Sequence, residues 1–235
     1  MGRIFEKRKH KMFARYDRMA KGFTRVGKEI AIAVKSGGPD PANNPRLRLA
    51  MQNAKSINMP KDRVDAAIKR ASSKDETGLE EIVYEGYGPH GIPLVIECAT
   101  DNPTRTVANI RMYLSRGGGQ LGKTGSLDFM FSRKGVFKIS SEGINIEEME
   151  LELIDHGLEE IVQDEDALVI YTRFEDFGAM QKALEAKGVK MISTQLERIP
   201  TTYAELSEEQ ENEVLELVDK LEADDDIQHV YHNLK

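Results

Sequence analysis

The sequence predicts a mixed α+β protein: an N-terminal three-helix domain followed by two α+β units, the second in the ferredoxin-like order. Three observations carry this. Apolar residues recur every three or four positions as far as residue 71, after which the pattern changes to short strand-like runs bounded by glycine. A β-α-β-β-α-β order then appears in full between residues 134 and 200. A length of 235 residues suits two or three small domains, each with a modest core.

Residues 3–36 read as helix, with Phe13, Tyr16, Met19, Phe23, Val26, Ile30 and Val34 on the recurring face and a break point between Gly22 and Gly27. Gly37 and Gly38 end it, and Asn44 with Pro45 supplies a cap and first-turn proline for a second helix over 45–57. A third helix, 60–71, turns Val64, Ala67 and Ile68 inward. Residues 72–78 are polar and aperiodic, hence a linker. Strands follow at 82–85 and 92–99, a helix at 104–116 and a strand at 126–132. The inserted unit has strands at 135–139, 159–162, 167–172 and 189–197, with helices at 146–156 and 174–186. The tail offers a helix at 208–223 and a strand at 227–231, able to complete the sheet of residues 79–133. If they complete it, the unit at 134–200 is an insertion.

Charge is divided along the chain. The first 74 residues hold 19 Lys and Arg against 6 Asp and Glu, while the remaining 161 hold 14 against 34. Cations gathered in one segment attract polyanions, because each phosphate neutralised releases condensed counterions. The alternative is a solvated helical surface. No run approaches the roughly 20 apolar residues needed to span a bilayer, and residues 1–8 lack an apolar signal core, so a cytoplasmic protein without membrane partners is expected. The single cysteine, Cys98, permits no internal disulfide and sits in an apolar run where a small buried residue fits a strand.

Residues 117–124, Gly-Gly-Gly-Gln-Leu-Gly-Lys-Thr, satisfy the phosphate-loop pattern of nucleotide-binding proteins. That loop must leave a strand and open a helix, whereas here a helix precedes it and a strand follows, so a glycine-rich turn is expected. Its N-H groups and Lys123 remain candidates for a nucleic-acid phosphate. His229 and His232 stand three apart in a strand with no acidic ligand pattern, so neither metal nor cofactor is expected. No hydrolase motif appears. Asn102 and Pro103 cap and open a helix, and Arg105 either completes that structure or joins a binding surface.

Phe23-Thr24, Gly37-Gly38, Asp40-Pro41, Asn44-Pro45-Arg46-Leu47-Arg48 and Asn58-Met59-Pro60-Lys61-Asp62 together resemble the N-terminal domain of the YebC family. Tyr84-Glu85-Gly86-Tyr87-Gly88-Pro89, Thr100-Asp101-Asn102, Arg105-Thr106-Val107, Leu121-Gly122, Gly125-Ser126 and Val230-Tyr231-His232-Asn233 extend the resemblance over nearly the whole chain. One departure is visible: family members commonly begin Gly-His-Ser-Lys-Trp, whereas this chain reads Gly2-Arg3-Ile4-Phe5-Glu6 and has no Trp. The resemblance implies a three-domain cytoplasmic protein, an N-terminal three-helix domain plus two α+β (ferredoxin-like) domains, one inserted in the other, with domains 1–76, 77–133 with 201–235, and 134–200. Members are usually labelled probable transcriptional regulators that bind DNA; others, like the mitochondrial translational activator of cytochrome oxidase, resemble translation factors, and some relieve ribosome stalling at proline-rich stretches.

These readings combine into a non-enzymatic, nucleic-acid-binding regulator of gene expression, contacting DNA or, alternatively, ribosomal RNA on the ribosome. Phosphate contacts are assigned to Lys7, Arg8, Lys9, Lys11, Arg15, Lys21, Arg25, Arg46, Arg48, Lys55 and Lys61, with Arg105 and Lys123 beside them. The aromatic content of 6% argues against base stacking as the main source of affinity, and no small-molecule substrate is expected.

Overall fold

A computed structural model describes residues 21–73 and 78–235. The chain divides into two compact units, one formed by Met1–Thr124 with Leu206–Val230, the other by Gly125–Glu205 with Tyr231–Lys235.

In the first unit, helix α1 occupies residues 21–37 and is followed by α2 (Pro45–Ser56) and α3 (Lys61–Ala71). Their core joins Val26, Ile30, Ala33 and Val34 of α1 to Leu47, Ala50 and Ala54 of α2 and Val64 and Ala71 of α3. The expected break at Gly22 to Gly27 does not occur, since α1 runs through both glycines. A Cβ at Gly22 would lie 3.6 Å from Ile57, and one at Gly27 would meet nothing within 4 Å, so neither position requires glycine for space. The turn into α2 is fixed by Asn44. Its Oδ1 accepts from the Leu47 amide at 3.0 Å, while its Nδ2 donates to the carbonyls of Ala33 and Gly38. A Cβ at Gly37 would sit 2.8 Å from that side chain, which explains the glycine there.

Strands β1 (Glu80–Tyr87) and β2 (Pro93–Thr100) pair antiparallel, and α4 (Pro103–Arg116) leads to the two-residue strand β3 (Gln120–Leu121), which pairs with β1. Helix α7 (Glu208–Glu222) and strand β8 (Ile227–His232) return from the tail, giving the sheet order β3-β1-β2-β8. The tail helix opens on a capping box between Ser207 and Gln210, with Glu208, Glu209 and Glu211 suiting the positive end of its dipole. It buries Val214, Leu217, Val218 and Leu221.

The second unit holds β4 (Phe131–Ser140), α5 (Ile146–Leu153), β5 (Leu158–Asp164), β6 (Ala167–Arg173), α6 (Phe177–Ala186) and β7 (Met191–Pro200) in the sheet order β5-β6-β4-β7. All three pairings are antiparallel, the ferredoxin-like arrangement. Phe137, Ile139, Leu168 and Ile170 meet Met149, Leu153, Met180 and Leu184 of the two helices, with the Phe137 and Phe177 rings stacked at 5.0 Å. One expectation is corrected. Residues 126–132 are not a separate strand: a turn and a short 3-10 helix (Asp128–Met130) precede the continuous β4. The third strand of the first sheet is instead β3, inside the glycine-rich segment. Gly86 and Gly119 make that pairing possible, since a Cβ on either would come within 2.6 Å of a backbone carbonyl on the facing strand.

Candidate nucleic-acid interface

Lys7, Arg8, Lys9, Lys11 and Arg15 lie outside the described residues. The eight described candidates separate into two kinds. Lys21, Lys55, Lys61 and Lys123 are exposed and make no ion pair or hydrogen bond among the described residues. Arg25, Arg46, Arg48 and Arg105 are engaged. Arg25 donates to the Glu222 carbonyl at 2.9 Å, where the end of α7 presents its free acceptors. Arg46 pairs with Glu81 of β1, and Arg48 donates to the carbonyls of Pro41 and Ala42 at 2.7 and 3.0 Å. These arginines therefore hold the helices, their connecting turn and the sheet together.

The most heavily used acceptor is Asp226, only 5% exposed, in the turn before β8. Lys28 of α1 reaches its Oδ1 at 3.1 Å and also donates to the carbonyls of Ala99 and Asp225. Arg105 and Thr106 of α4 reach its Oδ2 at 2.7 and 2.9 Å, and Arg105 also pairs with Asp101. Burial alone would raise the Asp226 pKa. The hydrogen bonds from Arg105, Lys28 and Thr106 outweigh it and hold the carboxyl below its ordinary value. The Thr100-Asp101-Asn102 run serves the same junction. Thr100 Oγ1 accepts from the Asn102 amide, and Asn102 caps α4 through the Arg105 amide at 3.0 Å.

Cationic side chains absent from the sequence-derived set stand on α3. Arg63, Lys69 and Arg70 are exposed. Arg63 and Arg70 line a cleft of about 740 Å³ with Phe23, Gly27 and Ala31 of α1 and Ala66 and Ala67 of α3. The Arg63 guanidinium lies 5.5 Å from the centroid of the Phe23 ring. The available signal is their seven-residue spacing, which places both on one helix face, next to the Val64-Ala67-Ile68 face that turns inward.

The glycine-rich segment turns α4 into β3. Gly117 ends the helix, Gly118 has a φ of +75°, and the amides of Gly119 and Gly122 donate to the carbonyls of Leu114 and Glu85. Those two N-H groups are committed to the protein rather than offered to a phosphate. Cys98 is buried, and burial pushes its thiol up to about 12, so the thiolate is suppressed near neutrality. His90 bonds to Glu213 at 2.7 Å, and His229 is shifted down, chiefly by burial.

Residues 3–74 match the model of the TACO1/YebC protein N-terminal domain, and residues 79–234 match that of the TACO1/YebC second and third domain. A probable transcriptional regulatory protein of Cytophaga hutchinsonii is 58% identical over all of this chain and 98% of its own length. Another of that name, from Anaeromyxobacter dehalogenans, is 56% identical over the full length of both. The crystal structure of a conserved hypothetical protein from Aquifex aeolicus superposes with a TM-score of 0.80 at 33% identity, covering 92% of this chain and 90% of its own. The paired domain models, full-length relatives and shared fold establish that this chain belongs to the TACO1/YebC family.

Proposed function

We propose that this chain is a non-enzymatic regulator of gene expression that acts by binding nucleic acid, its N-terminal helical segment leading and the two α+β sheets serving as scaffold. The observation that carries this is the charge division: 13 net positive charges in the first 74 residues against 20 net negative in the rest. Lys21, Lys55 and Lys61 are exposed on that segment without an ion pair or hydrogen bond among the described residues, and the names of the relatives point the same way. Duplex DNA is the target those names favour, with structured ribosomal RNA as the alternative; the two present the same phosphates.

Replacing Lys7, Arg8, Lys9 and Lys11 together by Ala tests the reading. Affinity for a DNA duplex should fall, and the slope of log affinity against log salt should flatten by about 0.9 for each phosphate no longer neutralised. An unchanged slope removes the segment from the interface. Sedimentation of a lysate through sucrose, with and without ribonuclease, separates the targets: ribonuclease-sensitive comigration with ribosomal particles selects RNA, and retention on DNA alone selects DNA.

A further inference from the structure

The cleft between α1 and α3 has features that duplex contact does not explain. Between the arginines and Phe23 it is lined by small residues, Gly27 and Ala31 of α1 with Ala66 and Ala67 of α3, and a Cβ at Gly27 would meet nothing within 4 Å, so open space lies between the two helices there. Its volume, about 740 Å³, lies within the range of about 300–1,000 Å³ of ordinary ligand pockets, the size of a small ligand rather than of a duplex. The cations on its walls are unequal. Lys28 is neutralised by Asp226, and Asp101 by Arg105, whereas Arg63 and Arg70 pair with no carboxylate among the described residues. The cleft therefore presents two guanidinium groups without a carboxylate partner among the described residues, carried on backbone positions about 10 Å apart along α3. One of them is preset: Arg63 is held over the Phe23 ring, so a planar cation is already ordered for an incoming phosphate or base face.

We propose that this cleft is a binding site for a short single-stranded stretch of nucleic acid, one or two nucleotides long, with Arg63 and Arg70 taking its phosphates and the Phe23–Arg63 pair offering a stacking surface to one base. The site deepens the nucleic-acid reading and rests on it. It adds a second mode of contact, insertion of an unpaired strand, to the phosphate tracking of the exposed lysines.

Anisotropy titrations with fluorescein-labelled oligouridylate of 12 nucleotides and with a labelled DNA duplex, over a range of salt, test it on the full-length chain. Arg63→Gln with Arg70→Gln should lower single-strand affinity at least tenfold and flatten its salt slope by about 1.4, at about 0.7 for each phosphate. Duplex affinity should change much less. Ala66→Phe keeps every charge but fills the cleft, and should also lower single-strand affinity. Ala66 is exposed, so the larger ring is tolerated by the fold and an unchanged melting temperature confirms it. Full single-strand affinity in both variants, with duplex binding intact in the parent, overturns the cleft site alone. A parent chain that binds neither polymer at low salt overturns the nucleic-acid reading and the site with it.

Discussion

At the scale of single residues, two polar side chains do more for the fold than their exposure in a sequence would suggest. Asn44, 2% exposed, closes the turn between α1 and α2 with three hydrogen bonds to backbone groups. Asn44→Ala removes the α2 cap and strands two carbonyls, so a loss of about 2 kcal/mol is expected, read as a melting temperature lower by several degrees. Asn44→Asp should keep the cap but set a buried carboxylate oxygen against the Ala33 and Gly38 carbonyls, and so destabilise at least as much as Ala. Asp226 acts through charge. Its folded pKa lies below the ordinary carboxylate value, so its contribution is present above about pH 4, where the unfolded group titrates, and disappears as pH falls through the folded pKa. Asp226→Asn should therefore destabilise the protein by about 2 kcal/mol at pH 7, and the gap between variant and parent in urea denaturation should narrow as pH falls below about 4. A gap constant over that range would contradict the ion-pair account.

At the scale of elements, the segment 117–124 shows why a pattern match and a structure can part. Its Lys and Thr fit a phosphate loop, but its glycines are needed where backbones touch. A Cβ at Gly119 would lie 2.3 Å from the Tyr87 carbonyl oxygen. Gly119→Ala should thus detach β3 from β1 and lower the melting temperature by several degrees, while exposed Lys123→Ala leaves it unchanged. The strand β3 itself is not legible in the sequence, because two residues carry no period and their pairing depends on glycines 33 residues apart, Gly86 and Gly119. The helices are legible through their apolar spacing and their caps: Asn44-Pro45 and Asn102-Pro103 both open helices where the sequence places them. The run at 126–132 misleads because Leu127, Phe129 and Phe131 alternate like a strand, although Asp128–Met130 close a helical turn.

At the scale of the whole molecule, net charge along the sequence reveals where cations concentrate but not which are available. Lys28 and Asp226 are 198 positions apart, and Arg25 and Glu222 are 197 apart, so no local pattern announces that these cations are already engaged. This division makes a prediction that composition alone cannot. Each exposed lysine without a partner among the described residues should contribute to the salt dependence of duplex binding and little to folding. Each engaged cation should do the reverse, since recruiting it to a phosphate means breaking a hydrogen-bonded contact inside the protein. Lys55→Ala with Lys61→Ala is then expected to flatten the duplex salt slope by about 1.8 at an unchanged melting temperature. Arg25→Ala with Arg105→Ala is expected to lower the melting temperature while leaving the slope within about half a unit of the parent, as the groups removed release no counterions on binding. Paired salt titrations and melts on the two double variants would read both quantities. Equal slope changes in the two variants would mean that Arg25 and Arg105 leave Glu222 and Asp226 when the polymer arrives, turning the contacts among α1, α4 and α7 from a fixed frame into part of the binding surface.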